Sequence, residues 1–224
     1  MKKTKKLVLV GMGEFGQIAY EYFTHDSDYE VVAFSAEAEF VDSNEFMGLP
    51  VVPLNALTKH YPADEYHVHV AITFTKLNTV RERIFNLVKD MGYTCANYIS
   101  SKAFVWRNVK LGENIFVFEH NTVQPFCEIE DNVVLWSGNH VGHRTVIRKH
   151  CYLSSHVVIS GYCDIGENCF IGVNATFADK VKIGRDCFVA MACGITKSQG
   201  DNLLLKGMPA APSRLSAKQY MKVA

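Results

Sequence analysis

From Ile99 to Ile195, an aliphatic residue or Phe falls at every sixth position without a slip, beginning Ile99, Val105, Leu111 and ending Val189, Ile195. That is seventeen consecutive hits. About a quarter to a third of residues in an average chain would qualify, so chance does not produce a run of this length. A second column lies four residues after each of these positions and holds small or apolar residues, Asn or Thr, from Ala103 through Cys193. Six of the seven cysteines sit in that column (Cys127, Cys151, Cys163, Cys169, Cys187, Cys193). They read as small core residues. A third mark is Gly directly after the aliphatic position, at Gly112, Gly142, Gly166, Gly172 and Gly184. A fixed short period of this kind specifies stacked identical units, each burying its interior against its neighbours.

The phrases LGENIF, IGENCF, IGVNAT and IGRDCF are hexapeptide repeats. They resemble those of the hexapeptide acyltransferases. The resemblance implies a left-handed parallel β-helix in which three hexads make one triangular coil and coils stack at strand spacing, about 4.8 Å. With the aliphatic residue as position zero, position four also points inward and positions two and three form the corner.

That register sorts the histidines of NHVGHRTVIRKHCYLSSH, residues 139–156. His140 is outward on a flat side, and His143, His150 and His156 fall at three different corners. One chain therefore does not gather them round a metal, and no metal is expected. His120 and His156, 36 residues apart, stack on one corner. That pair is similar to the gamma-class carbonic anhydrases, but the further histidine of that pattern is Gly161 here. In VGHRTVI, the GH corner resembles the catalytic base of the sialic acid O-acetyltransferases and bacillosamine-type N-acetyltransferases. The resemblance makes His143 a general base. An imidazole titrates near neutrality, so it can accept the proton of an attacking amine or hydroxyl and return it to the leaving thiol. The sequence departs from the family in two places. Arg144 stands where an orienting acid usually follows the base, and Tyr152 stands where a second histidine lies near the thioester. Asp179, two coils beyond His143, is about 10 Å away at strand spacing. The family likeness places Tyr152, Gly161, Val173 and Met191 along a coenzyme A path, with His156 toward the acceptor.

The first 96 residues alternate strand and helix patterns. KLVLV leads into Gly11-x-Gly13-x-x-Gly16 and a helical stretch. YEVVAF, PVVPL and VHVAIT follow as strands, and NTVRERIFNLVKDMGY is an amphipathic helix ending near Gly92. This reads as a small parallel sheet of Rossmann type. A glycine turn at a helix N-terminus suits a phosphate-bearing ligand. A dinucleotide is disfavoured because the second strand ends at Ser35, with Glu37 only later, and not on a ribose-holding acid. By resemblance to the sugar acyltransferases, Gly13, Glu14, Phe15, Gly16, Ser35 and Ala36 line a nucleotide-sugar site, with Asn78 and Arg81 as polar contacts. Loss of ligand binding by this unit is the other reading.

Lys and Arg number 23 and Asp and Glu 23, so formal net charge is zero. No basic face for nucleic acid is implied. No run reaches membrane-spanning length. The basic start MKKTKK precedes an apolar run too short for a secretory signal and without a cleavage site. Cysteines without a CxxC pair fit a cytoplasmic location. KGMPAAPSR resembles the family's GxPA exit loop, and SRLSAKQYMKVA reads as a short helix capping the open core.

The expected organisation is an α/β Rossmann-like unit over 1–96, an all-β left-handed β-helix over 97–200 and a C-terminal loop and capping helix over 201–224. The resemblance implies a homotrimeric acetyl-CoA-dependent acyltransferase of polysaccharide biosynthesis, acting on a nucleotide-linked sugar. Two alternatives stay open: a non-catalytic trimeric scaffold or binding protein, and a zinc enzyme of the carbonic anhydrase type.

Overall fold

The computed structural model describes residues 2–207 and 213–222. Residues 208–212, with Pro209 and Pro212 of the GxPA-like segment, lie outside the described residues.

The chain opens with β1 (Lys5–Val10), α1 (Glu14–Asp26), β2 (Tyr29–Ala36), β3 (Glu45–Phe46), β4 (Leu49–Pro53), α2 (Leu57–His60), β5 (His67–Val70) and α3 (Thr79–Asp90). The sheet order is β3-β4-β2-β1-β5. β1 is central, and Leu7 to Val10 are all buried. Its neighbours β2 and β5 run parallel to it; Leu7 and Leu9 pack into one core cluster and Val8 and Val10 into another, so both of its faces are covered and it reads as an unbroken apolar run. The sheet is not wholly parallel as expected: β3 and β4 form a tight antiparallel hairpin at one edge. Two-residue strands carry too little periodicity to be read from sequence.

From Tyr98 onward the chain winds through seventeen two-residue strands, the last at Gly194–Ile195. Up to the last coil, each pairs in parallel with the strand eighteen residues on, as in Tyr98↔Phe116 and His140↔Val158. Three parallel sheets result. The first face has seven strands and includes a late addition, Leu204–Leu205. The second, starting at Phe104–Val105, has six, and the third, starting at Lys110–Leu111, has five. The two inward columns form one core from Ile115 to Ile195.

Position three of each hexad takes the left-handed conformation at fourteen successive corners, from Asn114 (φ 56°) to Ala192 (φ 55°). Such a backbone costs a non-glycine residue on the order of 1 kcal/mol. Asn at 114, 132, 168 and 174 and Asp186 are the residue types that tolerate it best.

The position-four residues do more than fill space. Cys127, Cys151, Cys163 and Cys169 each direct Sγ at the carbonyl fifteen residues on, at 3.0–3.2 Å. Thr145 Oγ1 donates to Ser160 O in the same way at 3.0 Å. These groups give inward carbonyls beside the corners a partner, and such carbonyls are costly when left alone.

The outward columns differ by face. The first face presents Tyr98, Phe116, Val134, Tyr152, Phe170 and Phe188, and the α/β unit packs on it through Phe15, Tyr22 and Phe23 of α1. The third face presents Lys110, Glu128, Val146, Asp164 and Lys182, laced by ion pairs such as Arg148 with Glu130 and Asp164. The second face presents Phe104, Thr122, His140, Val158, Thr176 and Gly194, with no acid, Lys or Arg. Phe104 and Val158 stay exposed there, with Trp106, Phe126 and Tyr162 along the adjoining corner.

The helix at Ala217–Tyr220 carries a full capping box from Ser216 and Gln219. It does not cover the core within one chain, because residues 213–222 are all exposed. Among the described residues, no helix is long and apolar enough to cross a membrane.

His69 has no exposed surface, donates Nδ1–H to Ala96 O at 2.9 Å, and leaves Nε2 without a partner. Burial pushes its pKa down from 6.5 to about 4. The unfolded chain therefore binds a proton near pH 6.5 that the folded chain refuses until about pH 4. Stability is intact above 6.5 and falls as pH drops through that window, by about 3 kcal/mol for this residue alone. Urea denaturation at pH 7 and pH 4.5 measures the loss. It should shrink in His69→Gln, and an equal loss in both proteins would contradict the assignment.

Candidate functional site

A cleft of about 740 Å³ opens at the C-terminal ends of β1, β2 and β5. Gly11, Met12, Gly13, Glu14 and Phe15 line one side, Ala36, Glu37, Phe40 and Asp42 another, and Thr73 and Thr75 a third. The three glycines have distinct reasons. Gly11 has φ +128°, and a Cβ there would meet Ala71 O at 2.5 Å. A Cβ on Gly16 would meet Gly11 O at 2.2 Å. Both are needed to fold the turn. A Cβ on Gly13 would meet nothing within 4 Å, so this position faces open space. Gly13 is also the N-cap of α1, and no side chain caps the helix. Backbone N–H groups and the positive end of the dipole are left facing the cleft, an arrangement suited to an anion.

Of the residues expected in this site, Gly13, Glu14, Phe15 and Ala36 line the cleft. Phe15 does so with backbone, since its ring is buried against Phe116, Phe118 and Trp136. Four others are corrections. Gly16 is spent on the turn. Ser35 is fully buried, its Oγ without a partner, and its carbonyl accepts the Gly11 N–H at 2.8 Å. Asn78 and Arg81 have no exposed surface at all. Asn78 Nδ2 donates to Asn168 O at 3.0 Å. The Arg81 guanidinium donates to Asn132 O, to Asn78 Oδ1 at 2.9 Å and to His150 O at 2.8 Å. These two residues fasten α3 to the β-helix and have no surface left for a ligand. Reading α3 alone gives a polar helix face, and only the docked prism shows that this face is buried. Arg83, on the same helix, is engaged as well. It forms a bidentate pair with Glu37, 2.7 Å at each oxygen, and those bonds hold the Glu37 carboxyl below its usual range. Glu37 is therefore engaged and does not present a free acid to a ribose.

His143 is exposed at the corner between the second and third faces. Its ring lies against Gly161, where a Cβ would come within 2.6 Å of His143 Cε1. Only glycine leaves the imidazole its place. Tyr162 meets the ring edge-on at 5.0 Å between centroids. The His143 backbone N–H donates to Gln124 Oε1 at 2.9 Å, and Nδ1 stands 3.4 Å from the same oxygen. Asp179 is bonded to Gly161 and not to the ring: its Oδ1 accepts the Gly161 N–H at 2.8 Å. Arg144 turns its guanidinium onto the Phe126 ring at 4.5 Å. Coil arithmetic would have found Gln124, which lies one turn before the GH corner.

The other histidines separate as the register requires. His150 is buried under α3, bonded to Asn132 Nδ2 at 2.9 Å, and burial together with the Arg81 charge lowers its pKa to about 4. His156 is exposed on the corner between the first and second faces, its ring filling the space a Gly138 side chain would need. Val173 and Met191 lie exposed on that same corner. Gly161 lies beside His143, and Tyr152 is buried on the first face between Phe74 and Trp136. Tyr152 is thus a correction, since it packs beneath the α/β unit instead of lining a path for a ligand. Within one chain, Val173, Met191 and His156 do not meet His143. Among the described residues, no group of three His, Cys, Asp or Glu side chains is placed to hold a metal.

The bacterial transferase hexapeptide (six repeats) family matches residues 162–197. No curated protein matches the chain. Solved structures do. The acetyltransferase domain of PglB from Neisseria gonorrhoeae FA1090 is 22% identical, with 94% of this chain and 100% of that one covered and a TM-score of 0.81. A point mutant of perosamine N-acetyltransferase from Caulobacter crescentus, in complex with CoA and GDP-perosamine, is 22% identical over 93% and 100%, with a TM-score of 0.79. WeeI from Acinetobacter baumannii AYE is 21% identical over 88% and 94%, with a TM-score of 0.56. The chain therefore carries the bacterial transferase hexapeptide repeat and has the fold of these proteins, an α/β unit docked on a left-handed β-helix.

Proposed function

We propose that the protein is an acetyl-CoA-dependent acetyltransferase acting on a nucleotide-linked sugar, with His143 as general base and direct transfer between the two bound substrates. The observation that carries this reading is the His143 corner: an exposed imidazole seated on a glycine, on a β-helix whose structural neighbours include one bound to CoA and GDP-perosamine. The acceptor's amine or hydroxyl attacks the thioester carbonyl, His143 takes the proton, and the departing thiolate receives it. No covalent enzyme intermediate is needed.

The cleft supplies the other half. An uncapped helix N-terminus suits the pyrophosphate of a sugar nucleotide. The α/β unit sits on the first face, whereas His143 stands at the corner opposite that face. A ligand held by the glycine loop therefore reaches the His143 of a neighbouring protomer. This supports a homotrimer, with the uncharged second face and its exposed Phe104, Val158 and Tyr162 turned toward the neighbour. In that assembly coenzyme A lies between prisms. Gly161 of one chain and the Val173–Met191 corner of another flank its path.

The test is a thiol-release assay with acetyl-CoA across UDP-, dTDP- and GDP-linked amino sugars, with sedimentation to count protomers. A trimer that releases no thiol with any of them would favour the scaffold reading. Because a Gly13 side chain meets only open cleft, Gly13→Val should fold normally. It should raise KM for the sugar nucleotide tenfold or more, about 1.4 kcal/mol, and leave KM for acetyl-CoA unchanged.

A further inference from the structure

We propose that Gln124 is the positioning residue of His143, fixing its tautomer with a neutral amide and thereby suiting the site to an amine acceptor over a hydroxyl. This rests on the reading of His143 as the base. The argument starts from the backbone. The His143 N–H is a donor only, and it meets the Gln124 side chain at 2.9 Å, so the atom facing it is the amide oxygen. That same oxygen lies 3.4 Å from Nδ1. An oxygen can only accept, so Nδ1 carries the proton and Nε2 keeps the lone pair. Nε2 is then the atom that takes the acceptor's proton.

Among the described residues, no carboxylate is hydrogen-bonded to the His143 ring; its side-chain partner is Gln124. The titratable and charged groups near the ring are Tyr162, edge-on at 5.0 Å; Asp179, one oxygen of which accepts the Gly161 N–H; and Arg144, held on Phe126. Arg107 and Lys180 lie further along the same corner. An imidazolium formed here keeps its Nδ1–H donation to the neutral Gln124 oxygen, so the bond that orients the ring adds no charge to it. Gln124 therefore lends the ring none of the basicity that a bonded carboxylate would. A neutral amine attacks a thioester unaided by prior deprotonation and loses its proton as the C–N bond forms and the C–S bond breaks. A sugar hydroxyl depends much more on the base. The acceptor class that matches is an amino sugar.

Histidine labelled with ¹⁵N in the full-length protein reads the tautomer directly, without substrate. The expected spectrum for His143, assigned by its loss in His143→Ala, is that of the Nδ1–H form. In Gln124→Ala it should become a mixture of tautomers. In Gln124→Glu, which keeps an acceptor for the backbone N–H, the ring should titrate about one pH unit or more higher than in the parent, because a carboxylate now faces the imidazolium. In thiol release with GDP-perosamine, Gln124→Ala should lower kcat by about a hundredfold with KM unchanged. An Nε2–H tautomer in the parent, or identical titration in the parent and Gln124→Glu, overturns the proposal even if His143→Ala is inactive. Faster transfer to a hydroxyl sugar than to its amino counterpart overturns the acceptor assignment. The expected tautomer together with an active His143→Ala would leave the positioning intact and remove the base.

Discussion

His143→Ala is expected to lower acetyl transfer by about a thousandfold, within the range that a positioned general base contributes. The loss should appear in kcat. His143 is exposed, and its backbone bond to Gln124 survives the substitution, so folding does not depend on the imidazole. Thermal midpoint and sedimentation should match the parent. Residual transfer should rise with pH, as more of the acceptor amine becomes neutral without assistance. Steady-state kinetics against acetyl-CoA and the sugar nucleotide, run from pH 6 to 9, check both points. Turnover within about threefold of the parent at neutral pH would sink the assignment. The complementary variant is Gly161→Ala. Its Cβ would enter the space of the imidazole at 2.6 Å, so the ring must swing away. Activity should fall although no chemical group has been removed.

The largest stability effect is expected at Arg81. Its guanidinium is fully buried and donates to Asn132 and His150 carbonyls of the β-helix and to Asn78 of its own helix. No carboxylate is among these partners. Desolvation lowers its pKa to about 10, so it remains charged at neutral pH. Arg81→Ala strands two carbonyls and the Asn78 side chain in a dry interface and opens a cavity there. Each unsatisfied group costs about 1–3 kcal/mol, which puts the total for the three at about 3–9 kcal/mol. Arg81→Lys should recover little, since one ammonium does not span the fork of acceptors. Urea denaturation gives the magnitude. Binding of a hydrophobic dye well below the main transition would show that the α/β unit lifts from the aromatic first face before the prism itself melts. A loss under 1 kcal/mol in Arg81→Ala would mean that the clamp is dispensable.

The β-helix was legible because its period is strict: one phase assigns an inward or outward direction to every side chain from Ile99 to Ile195. The same phase separated His143, His150 and His156 onto three corners. What escaped was information lying across coils and between units. Gln124 stands one turn before His143 and shows no local motif. The outward aromatics Tyr98, Phe116, Tyr152, Phe170 and Phe188 recur at eighteen residues. An eighteen-residue scan of outward positions would have marked the face on which the α/β unit docks and removed Tyr152 from the ligand path. Arg81 and Asn78 were misjudged because a short amphipathic helix looks solvated on its polar side until its partner is known. The glycine turn was correctly located, but the sequence did not separate Gly11 and Gly16, which serve the turn, from Gly13, which faces open space.

The three faces of the prism carry different chemistry on one shared inner lattice, and this limits how the coil region can change in length. Six extra residues would preserve every inward side chain, so the core would still close. All later strands, however, would advance by one side. Aromatic residues from the docked face would emerge where a neighbour or water is expected, and the corner bearing His143 would lose its opposition to the cleft. Growth by a whole turn of eighteen avoids this, so length changes compatible with this architecture come in complete revolutions.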